Sequence, residues 1–217
     1  MSNEGRARLA GRLTTLLHDP RDKLELGRLI RALDTRYSLL RKSEPDPGVE
    51  EILKQMIARL AASFGNLWNI RGKRILDAPC GSKTSRAPAR VHLKTPLGAI
   101  KLGSRHKGYT PMFEPWFCRM LLLLGADPVG VDFGDLEGEQ FEHYAVDLGQ
   151  PGALNFMPDA SFDAVQDSRL FGSPEFTAQF PKKGDRLAVA REIVQQERRL
   201  LKPGGVVIHS DAEVLVN

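Results

Sequence analysis

Only two cysteines, Cys80 and Cys118, stand among 217 residues. That is too few for a disulfide framework, so a reducing, cytoplasmic setting is expected. No run of 18 apolar residues exists; the longest candidate, Met120–Leu124, stops at Gly125, so no membrane partner is expected. The opening M-S-N-E-G-R-A-R lacks the apolar core of a signal peptide. There is no internal repeat, and no G-x-G-x-x-G turn that would point to a nicotinamide enzyme. No metal site is expected. A more pointed absence is local: not one acid lies between Asp77 and Glu114.

Hydrophobic content of 41% and charged content of 27% are ordinary for a globular chain. The length suits one α/β domain with an appendage. Residues 1–70 read as a helical appendage. Leu9, Leu13, Leu16 and Leu17 recur at helical spacing, and so do Leu26, Leu29, Ile30, Leu33, Tyr37 and Leu40. A third stripe runs through Val49, Ile52, Leu53, Met56, Ile57, Leu60 and Phe64. Asp19-Pro20 and Asp46-Pro47 each read as an N-cap followed by a first-turn proline.

Residues 71–217 read as the main domain. The strand Arg74–Asp77 is a short apolar run closed by the tight turn A-P-C-G. Further strands are expected at Pro128–Val131, Phe141–Val146, Phe162–Gln166 and Val206–His209, with helices at Phe113–Leu124 and Arg186–Leu201. The turn K-P-G-G at 202–205 is expected to stop the last helix. Strands alternating with helices predict a Rossmann-like open parallel sheet, order 3-2-1-4-5, with helices on both faces. Three of its strands end in an acid: Asp77, Asp132 and Asp147. In a parallel sheet such ends share one edge, where ligands bind.

The acid-free stretch forms a basic insert at about 83–111. It carries Lys83, Arg86, Arg90, Lys94, Lys101, Arg105 and Lys107, with His92 and His106. Its prolines and glycines read as loop. Seven cations without an acid would attract an anionic acceptor, with Arg105, Lys107 and Tyr109 as candidate substrate contacts. A solvated loop without a ligand role is the alternative. Nucleic acid is a lesser one, because only Tyr109, Phe113 and Trp116 offer aromatic faces nearby.

R-I-L-D-A-P-C-G at 74–81, G-V-D at 130–132, V-D-L at 146–148, L-N-F-M-P-D-A-S-F-D-A-V at 154–165 and R-L-L-K-P-G-G-V-V-I-H-S at 199–210 resemble class I S-adenosylmethionine-dependent methyltransferases of the small-molecule branch. The resemblance covers about residues 74–210. It implies that Asp77, Ala78, Pro79, Cys80 and Gly81 hold the methionine part of S-adenosyl-L-methionine. Asp132 would hold the ribose hydroxyls and Phe133 the adenine face. Asp147 would meet the adenine amine, with Leu148 beside it, and Asp167 and Ser168 would line the transfer pocket. The chain departs from the family where glycines usually stand, at Pro79 and Lys83. Asp77 and Asp132 are also 55 positions apart, where about 20 is usual for such a unit. The family's terminal strands six and seven are expected to be missing.

A sulfonium methyl group is already activated, so orientation does much of the work and no obligatory catalytic residue is expected. His209, His106 and Tyr109 are the candidate bases. Cys80 is a poor nucleophile candidate, since no Pro-Cys pair stands at the fourth strand end. The expectation is an S-adenosylmethionine-dependent methyltransferase acting on a small anionic acceptor. The alternatives are a non-catalytic binding or oligomerisation module, with a homodimer as one arrangement, and an RNA-associated methyltransferase.

Overall fold

The computed structural model describes residues 3–41, 44–82, 91–95, 98–102 and 111–216, with 91–95 and 98–102 described as backbone strands. Three helices open the chain: α1 (Asn3–Thr14), α2 (Pro20–Tyr37) and α3 (Pro47–Phe64). The two Asp-Pro pairs act as expected. Asp19 accepts a hydrogen bond from the Arg21 N–H at 2.7 Å, and Asp46 accepts from Gly48 N–H at 2.8 Å. In each helix proline sits in the first turn, where its missing N–H leaves no bond unmade.

The described residues hold nine strands, the first two between α2 and α3: β1 (Leu40–Arg41), β2 (Glu44–Pro45), β3 (Arg74–Asp77), β4 (Val91–Thr95), β5 (Gly98–Leu102), β6 (Asp127–Asp132), β7 (Glu142–Ala145), β8 (Phe162–Asp167) and β9 (Leu201–Ser210). Five of them form an all-parallel sheet in the order β7-β6-β3-β8-β9. The labels differ from those expected because one antiparallel pair, β1–β2, precedes the first sheet strand and another, β4–β5, falls between the first two. Taken alone, the five run third, second, first, fourth, fifth across the sheet. Helices α4 (Trp116–Leu123), α5 (Pro174–Gln179), α6 (Lys183–Leu200) and α7 (Asp211–Val216) complete the chain.

Alternation along the strands divides the core in two. Ile75, Ala164 and Ile208 face a cluster built from Leu26, Leu33, Leu53, Ile57 and Leu60 of the first three helices, with Phe117 and Leu121 of α4. Leu76, Val129, Val131 and Val165 face the other side, with Phe162, Leu154 and Leu200. The N-terminal helices therefore bury their apolar stripes directly on one face of the sheet.

Three expectations are corrected. Within the insert, Val91–Thr95 and Gly98–Leu102 pair as an antiparallel hairpin rather than forming loop throughout. V-H-L-K-T alternates β-prone and polar residues, the pattern of a strand. The helix expected at Phe113–Leu124 begins only at Trp116, because Pro115 stands at its cap and Pro111–Phe113 forms a separate 3-10 turn. The K-P-G-G segment does not stand apart from the fifth strand: β9 runs from Leu201 to Ser210, with shifts of register against β8.

Candidate functional site at the strand ends

Parallel pairing brings the C-terminal ends of β6, β3, β8 and β9 to one edge. Asp77 stands level with Gly130 on one side and with Gln166 on the other, and Gln166 with His209. Asp77 and Gln166, paired without a shift, face the side covered by α3 and α4, whereas His209 pairs with Gln166 across a shift of register and it is its neighbour Ile208 that faces that side.

Asp77 is 2% exposed. Its Oδ1 accepts from Gln166 Nε2 at 3.3 Å, and the Cys118 thiol approaches its Oδ2 at 3.8 Å. Burial, and secondarily the Asp132 charge, push the Asp77 carboxyl up to about 8. Among the described residues, the Oε1 of Gln166 is buried with no hydrogen-bond partner. Cys80 and Cys118 are both free and buried, and burial raises both thiols. A thiol so placed is a weak nucleophile.

The turn after β3 is tied inward. Ala78 N–H donates to the Gln166 carbonyl at 3.0 Å, Cys80 N–H to the Val131 carbonyl at 2.8 Å, and Gly81 N–H to Asp132 Oδ2 at 3.0 Å. Pro79 has no N–H, and its peptide with Ala78 is cis. Gly81 adopts φ +86°, and a Cβ there would run into the Phe113 carbonyl oxygen. What this turn can offer a ligand is therefore acceptors rather than N–H donors.

Asp132 is 5% exposed. Its Oδ1 accepts from Gly134 N–H at 2.8 Å while Oδ2 holds Gly81, so one carboxylate pins two loops together. Phe133, beside it, is 68% exposed. Asp147 accepts from Gly149 N–H at 2.9 Å and from the amides of Gln150 and Gln179 at 3.0 and 3.1 Å. These bonds outweigh partial burial and lower its carboxyl. Leu148 lies in the core beneath.

Asp167 points to the opposite face from Gln166. It accepts from the Ser210 hydroxyl and from the N–H groups of Asp211, at 2.9 Å, and Ala212, at 3.1 Å, and so caps α7. Burial raises it, and burial with the Asp167 charge pushes its neighbour Glu197 up to about 9. Ser168 follows, half-buried, and Arg169 then turns into the left-handed region at φ 71°. Asp211 links the two strand ends. Its Oδ2 accepts from Arg169 N–H at 2.5 Å, and its Oδ1 lies 2.8 Å from His209 Nε2.

His106, Arg105, Lys107 and Tyr109 lie outside the described residues. Gln166, Asp211, Arg169 and Arg59 were not singled out in the sequence. Arg59 carried a readable signal: it falls three residues after Met56 in the otherwise apolar stripe of α3. Among the described residues no group of three His, Cys, Asp or Glu could hold a metal ion, and no helix is long and apolar enough to cross a membrane.

Comparison of this chain with protein-family models, with curated proteins and with solved structures finds no match.

Proposed function

We propose that the protein is an S-adenosylmethionine-dependent methyltransferase of Rossmann-like architecture, acting on a small anionic acceptor. One observation carries the reading: acceptors gathered along the carboxyl edge of a parallel sheet, at Asp77, Gln166 and Asp132, beside a turn whose Ala78, Cys80 and Gly81 N–H groups are engaged within the protein. Such an edge suits a ligand that brings its own cationic and hydroxyl donors. The residues fit the adenosyl cofactor in four respects. Asp77 is a buried carboxyl able to ionise against an ammonium group. The unpartnered Oε1 of Gln166 can accept a hydrogen bond there. Asp132 is a buried carboxylate at the end of the second sheet strand, where a ribose hydroxyl would meet an acceptor. The exposed ring of Phe133 offers a face to adenine.

The cofactor would supply an activated methyl group; this chain would hold, orient and dry the site. His209 is positioned by Asp211. With Nε2–H donating to that carboxylate, Nδ1 is left as the acceptor able to take an acceptor's proton.

Calorimetry with S-adenosylhomocysteine tests the reading. Wild-type protein is expected to bind. Phe133→Ala, at an exposed position, is expected to weaken binding about tenfold by loss of base stacking with no change in Tm. Absence of binding to the folded wild-type chain refutes the proposal.

A non-catalytic module is the second reading, favoured by the way Asp132 and the turn N–H groups are already engaged within the protein. Binding of S-adenosylhomocysteine without turnover of any acceptor in a broad screen of carboxylic and phosphorylated compounds would support it.

A further inference from the structure

A cavity of about 200 Å³ lies where the end of α2, the start of α3 and the 111–116 segment meet. Tyr37, Ser38, Asp46, Glu114 and Trp116 line it, together with apolar side chains. Two carboxylates and no basic side chain stand in this lining. That is a local reversal in a chain whose net charge is +4.

Each acid commits one oxygen to the fold. Asp46 Oδ1 accepts from the Gly48 and Val49 N–H groups at 2.8 and 3.3 Å and so caps α3. Glu114 Oε2 takes the buried Arg119 guanidinium. Among the described residues, no hydrogen bond is made to Asp46 Oδ2 or to Glu114 Oε1, and Asp46 joins no ion pair. Tyr37 adds a hydroxyl that is buried with no hydrogen-bond partner among the described residues.

The walls are fixed by bonds of their own. Trp116 Nε1–H donates to the Pro111 carbonyl at 2.7 Å, and Glu114 N–H to the same oxygen at 3.1 Å. Ser38 turns into the left-handed region at φ 52°, with its N–H on the Asp34 carbonyl at 3.0 Å. On the far side of the segment, the Phe113 carbonyl leaves no room for a Cβ at Gly81, so the segment is pressed against the turn after β3. A cavity held open in this way costs little ordering when a ligand enters.

Carboxylate oxygens around a small hollow suit a ligand that brings positive charge and N–H donors, because such hydrogen bonds are charge-assisted. An anion would meet two carboxylates there and be repelled. The volume lies below the roughly 300–1,000 Å³ of sites for drug-sized ligands, so the ligand is small. We propose that this cavity binds a small organic cation, an alkylammonium or guanidinium compound, between Asp46 and Glu114. The site shares no residue with the strand-end site and does not depend on the methyltransferase reading.

Proton NMR of the full chain tests the proposal. The chain has two tryptophans, Trp68 and Trp116, so two indole N–H signals are expected, and Trp68→Phe assigns them. Butylammonium chloride and guanidinium chloride are titrated at fixed ionic strength, with butan-1-ol and urea as their neutral counterparts. A saturable shift of the Trp116 signal is expected with either cation, and binding about tenfold weaker or absent with the neutral compounds. Asp46→Asn removes a charge but keeps a good N-cap. It should weaken cation binding about tenfold, the loss expected for one hydrogen bond to a charged group, with Tm unchanged. Glu114→Gln should weaken it as much, and Tm reports whether the Arg119 network survives. If that variant does not fold, Asp46→Asn decides alone. No saturable Trp116 shift with either cation overturns the proposal. So does equal affinity for a cation and its neutral counterpart, or unchanged affinity in folded Asp46→Asn. A Trp116 shift with magnesium chloride but with neither organic cation overturns it as well, because the acids would then form a metal site.

Discussion

Two carboxyls held protonated by burial make the molecule sensitive to alkali. Asp77 and Glu197 are 2% and 3% exposed and are raised to about 8 and about 9. In the unfolded chain both ionise near pH 4. Below that pH the two states bind the same protons, and neither group opposes folding. As pH rises from 4 through the folded values, only the unfolded state has released its protons, so stability is lost across that window. Glu197→Gln should change Tm little at pH 4 and raise it at pH 8.5, by an amount equivalent to roughly 5 kcal/mol. A thermal melt series over pH is the measurement, and a variant whose Tm runs parallel to wild type at every pH would refute it. For Asp77 the same chemistry gives a binding signature. A neutral carboxyl that meets an ammonium group must ionise, so S-adenosylhomocysteine binding at pH 7 should release close to one proton. Titrations in phosphate and Tris buffers, which differ in ionisation enthalpy, count that proton. The count should vanish in Asp77→Asn.

Helix α4 is an element whose docking depends on one residue. Arg119 is 1% exposed, donates to Glu139 at 2.7 and 3.1 Å and to Glu114, and lies over the rings of Tyr37 and Trp116. It joins α4 both to α2 and to the loop after β6. Arg119→Ala would leave two carboxylates poorly compensated in the interior, a change that costs about 3–5 kcal/mol. Urea denaturation should show a midpoint shift of that size, whereas Arg8→Ala, whose pairs with Glu4 and Glu44 are exposed on both sides, should leave the midpoint nearly unmoved. Nothing in the sequence distinguishes Arg119 from the other cations. At this scale the legible features were those written locally: the Asp19 and Asp46 caps with their prolines, the α2 and α3 stripes, and the β3 run that ends in Asp77. The hairpin at 91–102 was not legible, because prolines and glycines around it read as loop while pairing is a non-local property. Nor was the extent of β9, whose K-P-G-G segment is a breaker by local preference yet lies along β8. The site divides in the same way. Acids at strand ends follow from the chain. That Asp132 would pin Gly81 to Gly134 and that Asp167 would cap α7 follow only from packing.

The whole molecule shares one apolar cluster between its first sixty residues and its sheet. Leu26, Leu33, Leu53, Ile57 and Leu60 contact a surface that includes Ile75, Ala164 and Ile208. Each fully buried leucine or isoleucine contributes about 2 kcal/mol of transfer free energy, so these five alone exceed half the net stability of an ordinary domain. A sheet face deprived of that cover would present a continuous apolar surface to water. The helices and the sheet should therefore unfold as one unit. Trp68 and Trp116 both report from this junction, while the far-ultraviolet circular dichroism signal averages over all helices. Urea transitions followed by tryptophan fluorescence and by circular dichroism should coincide, and a chain starting at residue 71 should be recovered only as aggregate. Two separated transitions, or a soluble 71–217 fragment with native-like dispersion in its proton spectrum, would show that the sheet stands without the helices.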